Sequence, residues 1–285
     1  MSTITPHYRS VQQLLQSQSF SIDEYQREYK WEKENIEELL TDLRDKFLSC
    51  YQEGDETKKV SSYEDYFLGS IIVSKRNGRS YLVDGQQRVT SLTLLLIYLH
   101  QSAKEQGLAV IQSLAPLIYS DNLGEPRFNL DIPERLPVIE ALFKNEAFSP
   151  DGKEESIQTM HARYQNIEQL DLVGELKQAL PHFIYWLMTK VGLIEIATDN
   201  DNYAYTIFET MNDRGMLAAM KERAKRADID DETRSNILVN KKGAMISPFF
   251  IDQINIKLAA RSRTRCFCRP SHPMGRYPDL HASVP

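Results

Sequence analysis

The sequence has few cysteines and no long hydrophobic run. Its 285 residues include only Cys50, Cys266 and Cys268, which argues against a disulfide framework and favours a reducing compartment. The longest apolar stretch, 89–99, contains hydroxyl side chains and is shorter than the ~18 residues that a membrane span needs. The first residues show neither a basic leader nor an apolar core. We therefore expect a soluble cytoplasmic protein.

Standard nucleotide-binding and zinc-binding motifs are also missing. Neither G-x-x-x-x-G-K-[ST] nor G-x-G-x-x-G occurs in the chain, which excludes a standard P-loop or Rossmann site. Cys266, Cys268, His272 and His281 are zinc ligands by residue type, but their spacing does not match that of structural zinc sites. Any nucleotide site in this chain must therefore be built in another way.

Positive charge is scarce in most of the chain. Residues 221–285 carry 13 Lys and Arg against 7 Asp and Glu, whereas the residues before them carry 21 against 33. A broad surface that coats DNA without sequence preference needs many cations on phosphates. The acidic composition of residues 1–220 argues against such a surface. Smaller basic clefts are still compatible with this composition.

Hydrophobic periodicity predicts an α+β protein in the first half of the chain. Residues 11–16 are predicted as a short helix, 20–22 as a strand, 31–48 as an amphipathic helix, 52–65 as a surface loop, 67–83 as a β-hairpin and 89–103 as a buried helix. The hairpin rests on Asn77-Gly78, the strongest dipeptide signal for a tight turn.

The second half is predicted to be mostly helical. Residues 111–189 have helical patterns with several breaks, 191–197 is predicted as a strand, and 204–211 as a helix. The tail has no apolar period, and our hypothesis is that the reading frame is disrupted near residue 261. The predicted domains are a domain over 8–110, a mainly helical extension over 111–216 that returns to the site, and an altered or truncated segment over 217–285.

A glycine turn between a strand and a long helix is the central candidate site. It consists of Asp84, Gly85, Gln86, Gln87 and Arg88. Free N–H groups and the dipole at a helix N-terminus favour anions, glycine permits close approach, and arginine can hold phosphate with two hydrogen bonds. Asp84 could hold a metal ion or orient a water, and the two amides could reach a phosphate or a base edge. An ordinary turn, with Asp84 capping the helix and Arg88 in a surface ion pair, fits the same residues.

Gln26 and Arg27 lie within an aromatic frame that runs from Tyr25 to Trp31. Aromatic rings between basic residues can stack on bases and hold phosphates. The alternative is that the rings begin the next helix in the core, and for Trp31 we prefer this alternative.

Asn212 and Arg214 lie at the predicted end of a helix, before Gly215. Gly215 has the natural position of a left-handed helix cap. That role does not explain the two polar side chains, which are of the kind that meets a ligand where a helix closes over a site.

Four segments, in this order, resemble the N-terminal domain of GmrSD-type type IV restriction enzymes, which are modification-dependent. The segments are FSIDEYQREYKW at 20–31, YFLGSI at 66–71, VDGQQRVTSL at 83–92 and IFETMNDRG at 207–215. The resemblance covers residues 8–216. It implies a ParB/sulfiredoxin-like small mixed sheet with helices, followed by the helical extension.

The resemblance also implies a function. The turn would bind and support hydrolysis of a nucleoside triphosphate with Mg²⁺, and this step would license a separate HNH nuclease that cuts phage DNA with modified cytosines. Asp84 and Arg88 would be catalytic, with Asp84 also on the metal. The other nucleotide-binding residues would be Gly85, Gln86, Gln87, Gln26, Arg27, Asn212 and Arg214.

The chain departs from the family pattern in places. Asp23 stands where the family usually has proline, and no HNH domain follows, so DNA cleavage by this chain alone is not expected. We expect a nucleotide-hydrolysing regulatory module of an anti-phage restriction system. The alternatives are a non-catalytic module that binds modified DNA or a partner protein, and a degenerate fragment.

Overall fold

A five-stranded mixed sheet lies at the centre of the computed structural model, which describes residues 5–16, 18–22, 28–122 and 125–211. Its strands are β1 (Thr5–Ser10), β2 (Phe20–Ile22), β3 (Tyr66–Arg76), β4 (Arg79–Asp84) and β7 (Val191–Thr198). They lie in the order β1-β7-β3-β4-β2. The β1/β7 and β3/β4 pairs are antiparallel, and the β7/β3 and β4/β2 pairs are parallel. A separate hairpin pairs β5 (Tyr119–Asn122) with β6 (Glu125–Phe128).

Most of the remaining described residues are helical. The helices are α1 (Val11–Leu15), α2 (Lys33–Leu48), α3 (Gln86–Glu105), α4 (Ile111–Ile118), α5 (Leu136–Lys144), α6 (Glu155–Gln169), α7 (Leu172–Leu176) and α8 (Leu180–Thr189). The first and the last of these, α1 and α8, pack against β7. Residues 201–211 are also helical. No helix in the described ranges is long and apolar enough to cross a membrane. The predicted α+β class with a small mixed sheet is confirmed.

The hairpin of β3 and β4 delivers the chain to the start of α3. Asn77 and Gly78 have φ values of 49° and 74°, the two positive angles that the tight turn favoured by Asn-Gly requires. The predicted hairpin is therefore confirmed. Because β4 ends at Asp84 and α3 begins at Gln86, the strand and the helix are joined by Gly85 alone.

Helix α3 is the central helix of the core. Every residue from Val89 to Ala103 is buried, and the helix packs against α4, α5 and α6. The predicted buried helix is confirmed, but it begins three residues earlier than the apolar pattern indicated. Gln86 begins the first helical turn, whose side chains are polar and only half-buried. This polar start hid the true N-terminus of the helix.

Residues 201–211 begin beside β3 of the sheet. Along β7, Val191 and Leu193 belong to the main core, whereas Ile196 is buried outside it. Asp201 accepts a hydrogen bond from Ser74 of β3, and Ala204 is fully buried. This contact holds the start of the helical segment against β3.

Four regions differ from the sequence predictions. Strand β1 and the β5–β6 hairpin have no clear apolar alternation and were not predicted. The predicted surface loop 52–65 contains a short 3₁₀ helix, Thr57–Ser62, and the side chain of Tyr63 is buried where its hydroxyl donates to Asp55. Strand β7 belongs by sequence to the predicted helical extension, yet it lies between β1 and β3 in the sheet.

Candidate functional site

Gly85 forms the turn from which the site is built. It has φ 86° and ψ 7°, in the left-handed region, where residues with a Cβ are strained. A Cβ at this position would lie 2.5 Å from Cγ2 and 3.3 Å from Cα of Ile71. Glycine is therefore required both by the backbone angle and by the contact with β3. The contact holds the N-terminus of α3 directly against the sheet.

The first turn of α3 has no side-chain cap from the part of the chain that the structure describes. Gly85 is the cap residue, it makes no side-chain hydrogen bond, and the first turn contains no acidic residue. The first N–H groups of a helix have no partner within the helix, and the helix dipole adds positive potential there. The alternative in which Asp84 caps the helix is therefore not what the structure shows. These N–H groups are available to an anion.

Arg88 rests on an irregular part of β3. Its Nη1 donates a hydrogen bond of 2.9 Å to the carbonyl oxygen of Ser70. Gly69 lies beneath the guanidinium with φ 110°, and a Cβ there would be 3.3 Å from Cζ of Arg88. The β3–β7 register shifts between Phe67 and Ser70. This irregularity and the missing side chain make room for the guanidinium.

The charges of Asp84 and Arg88 are both partly withdrawn from water. Burial raises the pKa of the Asp84 carboxyl, against the opposing effects of the Gly85 N–H and of Arg88. Burial lowers the pKa of Arg88, against the opposing effect of Asp84. Among the described residues, neither side chain has an ion-pair partner, so Arg88 is not in the surface ion pair considered above. Much of the binding capacity of both groups is therefore unused.

We expect the burial of Asp84 to appear in the pH dependence of stability. Because its folded pKa is raised, its contribution is fully present below the ordinary Asp pKa of about 3.9 and is lost as pH rises through the folded pKa. Asparagine stays neutral and escapes this loss. The stability of Asp84→Asn relative to wild type should therefore rise with pH and level off above the folded pKa, as measured by urea unfolding.

The matched control for this experiment is Asp151→Asn. Asp151 is exposed in a loop, so its replacement removes a carboxylate without the burial, and the difference from wild type should change with pH less than that of Asp84→Asn. A pH-independent difference for Asp84→Asn would contradict the expectation.

The two glutamines have different environments. The Gln87 side chain accepts hydrogen bonds from the N–H groups of Lys30 and Trp31 at 2.9 and 3.2 Å, and it donates to the carbonyl of Glu28 at 2.8 Å. Gln86 Oε1 is buried and has no hydrogen-bond partner among the residues that the structure describes. Gln87 is thus largely occupied within the protein, whereas Gln86 is not.

A cavity of about 360 Å³ lies at the start of α3; we refer to it as the α3 cavity. It is lined by Trp31, Val83, Asp84, Gly85, Gln86, Gln87, Arg88 and Phe208. Val83, Trp31 and Phe208 are apolar, and the other residues supply a carboxylate, a guanidinium, amides and backbone. A ligand that fits must therefore have a charged or polar part and a flat or apolar part.

The structure brings all five predicted residues of the turn to this one cavity. Gln26, Arg27, Asn212 and Arg214, together with the cysteines and histidines of the tail, lie outside the described residues. Trp31, expected in the core, packs against the core and also lines the cavity.

Sequence reasoning missed the support for Arg88. Gly69 and Ser70 were quoted only as part of a motif, and no role was assigned to them. The available signal was the presence of a glycine inside a predicted strand, which indicates a bulge or a close approach.

Within the described ranges, no group of three or more His, Cys, Asp or Glu residues gathers to hold a metal. A protein-only metal centre is therefore not built there. Mg²⁺ commonly needs only one or two carboxylates in addition to substrate phosphates and water. Asp84, in the α3 cavity, fits that smaller requirement.

The fold and the cavity define a class of protein. One strand of a mixed sheet leads, through a glycine with a left-handed backbone angle, into a buried helix whose N-terminus opens into a cavity with one carboxylate and one guanidinium. This is an α+β domain with a cavity, lined by one carboxylate and one guanidinium, at a helix N-terminus.

The particular family follows from comparison with known proteins. The family model described as the GmrSD restriction endonuclease, N-terminal domain, matches residues 11–223. The chain belongs to this family, whose members are part of type IV restriction systems. No curated protein matches the chain.

Proposed function

We propose that this chain binds and hydrolyses a nucleoside triphosphate as the regulatory module of a type IV restriction system. The observation that carries the proposal is that Asp84 and Arg88 both line one cavity at the start of α3. Both groups are partly desolvated and lack an ion-pair partner among the described residues. Such groups interact more strongly with a charged ligand than they would in water.

The phosphates would lie at the N-terminus of α3. The free N–H groups of its first turn and the helix dipole favour an anion there. Arg88 uses Nη1 on Ser70, so its remaining N–H groups can bind phosphate oxygens and neutralise charge that develops during transfer. The hydrogen bond to Ser70 fixes the guanidinium in advance, which lowers the cost of ordering it on binding.

Asp84 would hold Mg²⁺ or orient the attacking water. As a carboxylate it can supply one metal ligand, and the phosphates and water supply the others. Mg²⁺, when bound, would neutralise phosphate charge. The raised pKa of Asp84 should fall towards its ordinary range when a cation lies beside it, because the ionised form is then favoured.

The apolar wall of the cavity would receive the base or the sugar. Trp31 and Phe208 are aromatic and line the same cavity as the turn, and aromatic rings stack on every base. Gln86 Oε1, which is buried and has no partner within the described part of the chain, could then accept a hydrogen bond from the ligand. These contacts would favour a nucleotide over inorganic phosphate.

The wider site and its partners also belong to this proposal. Gln26 and Arg27, which precede α2 in the chain, would bind the nucleotide from one side. Asn212 and Arg214 would bind it from the other side, because Phe208, which lines the cavity, is only four residues before Asn212 in the sequence. Modified-cytosine DNA and a separate HNH nuclease subunit would be the partners that nucleotide hydrolysis regulates.

The test is phosphate release from ATP, GTP, CTP and UTP with Mg²⁺. We expect wild type to release phosphate from at least one of them, and we expect Asp84→Asn to reduce the rate by about 10²-fold or more, as removal of a group that acts in the transition state does. Asp151→Asn, an exposed carboxylate outside the cavity, should release phosphate at the wild-type rate.

Two outcomes would overturn the proposal. One is a folded wild-type protein that releases no phosphate above background with any of the four nucleotides. The other is an Asp84→Asn variant that is as active as Asp151→Asn. If wild type bound modified DNA while releasing no phosphate, the non-catalytic alternative would replace the proposal.

A further inference from the structure

The segment 28–31 crosses the first turns of α3, and we refer to it as the strap. It lies directly before Glu32, the N-cap of α2, and it is neither helix nor strand. Its N–H and carbonyl groups therefore lack the regular partners that secondary structure provides. The question is which groups hold it in place.

Gln87 provides three of the hydrogen bonds that hold the strap. Its Oε1 accepts from both Lys30 and Trp31, and its Nε2 donates to the carbonyl of Glu28. This pattern fixes the orientation of the amide, because a flipped amide would place its NH₂ group against two N–H donors. Only one N–H of the Gln87 amide is left for any other partner.

The other contacts of the strap come from different elements. Tyr29 is buried, its hydroxyl is 2.7 Å from Oγ of Ser91 on α3, and its N–H donates to Oγ of Ser156 on α6. Arg163 of α6 donates to the carbonyl of Trp31 at 3.3 Å. The inner half of the strap is therefore fixed in the core, whereas the N–H groups of Lys30 and Trp31 both depend on Gln87.

The position of the strap determines one wall of the α3 cavity. Trp31 is the strap residue that lines the cavity. The polar wall of the same cavity comes from the turn at 84–88, which is distant from Trp31 in the sequence. Because Gln87 belongs to that turn, its side chain couples the aromatic wall directly to the helix N-terminus. The two glutamines of the turn therefore have different tasks, although they are neighbours in the sequence.

We infer that Gln87 is a positioning residue, which holds Trp31 of the strap against the α3 cavity through its side chain and does not itself grip the nucleotide. The inference rests on the proposed function for the nature of the ligand. Its structural part, the attachment of the strap, does not depend on any ligand. Trp31 packs on the ligand before and during reaction alike, so displacing it weakens binding more than it slows the chemical step.

The test compares Gln87→Met with Gln86→Met. Methionine keeps the approximate length of glutamine without the amide. The two variants make the same replacement and differ only in which of the two adjacent glutamines is replaced. In nucleotide-free protein, amide hydrogen exchange at Lys30 and Trp31 should be faster in Gln87→Met by about tenfold or more, because local opening becomes easier. The same amides should exchange at the wild-type rate in Gln86→Met.

Kinetics supply a second readout. In Gln87→Met, KM should rise by about tenfold while kcat stays within about twofold, which is the pattern of lost uniform binding. Gln87→Glu can still accept from both N–H groups but loses the donor to the carbonyl of Glu28, so it should restore slow exchange at Lys30 and Trp31 only in part. If the faster exchange in Gln87→Met came only from a lower stability of the whole protein, amides throughout the core would exchange faster as well.

The inference is overturned if Gln87→Met and Gln86→Met give the same exchange at the strap. It is also overturned if Gln87→Met lowers kcat and leaves KM unchanged, since Gln87 would then act in the transition state. Failure of the proposed function looks different: wild type would release no phosphate, while Gln87→Met would still loosen the strap.

Discussion

Replacing Arg88 with alanine is expected to lower nucleotide hydrolysis by about 10²- to 10³-fold, the usual loss when one preorganised donor to a developing negative charge is removed. The guanidinium is held in place by Ser70 and Gly69. It therefore needs no rearrangement when the phosphate charge develops. Phosphate release at saturating nucleotide measures the effect on kcat.

The lysine variant at the same position separates charge from geometry. Lysine keeps a positive charge but lacks the planar fork that can bind Ser70 and a phosphate oxygen at once. Arg88→Lys should therefore remain closer in rate to Arg88→Ala than to wild type. Arg79→Ala, which removes an exposed arginine from the β3–β4 hairpin, should be fully active. A folded Arg88→Ala variant with wild-type kcat would contradict the role of Arg88.

The second large effect is expected at Gly85, and it concerns stability. Gly85→Ala should lower the free energy of unfolding by about 3 kcal/mol, the combined cost of a left-handed backbone angle and of an overpacked contact. The contact is specific, because the new Cβ would lie 2.5 Å from Cγ2 of Ile71. Urea unfolding measures the change.

Gly78→Ala is a matched control for Gly85→Ala. Gly78 has φ 74°, close to the 86° of Gly85, but a Cβ there would meet no atom within 4 Å. It should therefore show only the cost of the backbone angle. A further check is Ile71→Ala, which should destabilise the Gly85→Ala protein less than it destabilises wild type, because the two positions are coupled. Equal losses for Gly85→Ala and Gly78→Ala would contradict the predicted overlap.

Local patterns in the sequence were sufficient for several elements. The amphipathic helix α2, the Asn77-Gly78 hairpin and the strand β7 were predicted correctly, since each depends on residues close together in the chain. The buried helix α3 was also predicted, although its first turn was not. Strand β1 escaped prediction because it lies at the edge of the sheet, where pairing with β7 rather than apolar alternation creates the strand.

The sequence by itself determined that Asp84, Gly85, Gln86, Gln87 and Arg88 form a glycine turn at the start of a long helix. It did not distinguish a site from an ordinary capped turn. Only the tertiary structure decided that no side chain of the described residues caps the helix, and that Gln87 and Arg88 bond to the strap and to β3. The physical reason is that these partners lie far from the turn in the chain. The residues of the turn could be identified from their spacing, but their separate tasks depend on contacts that only the folded chain creates.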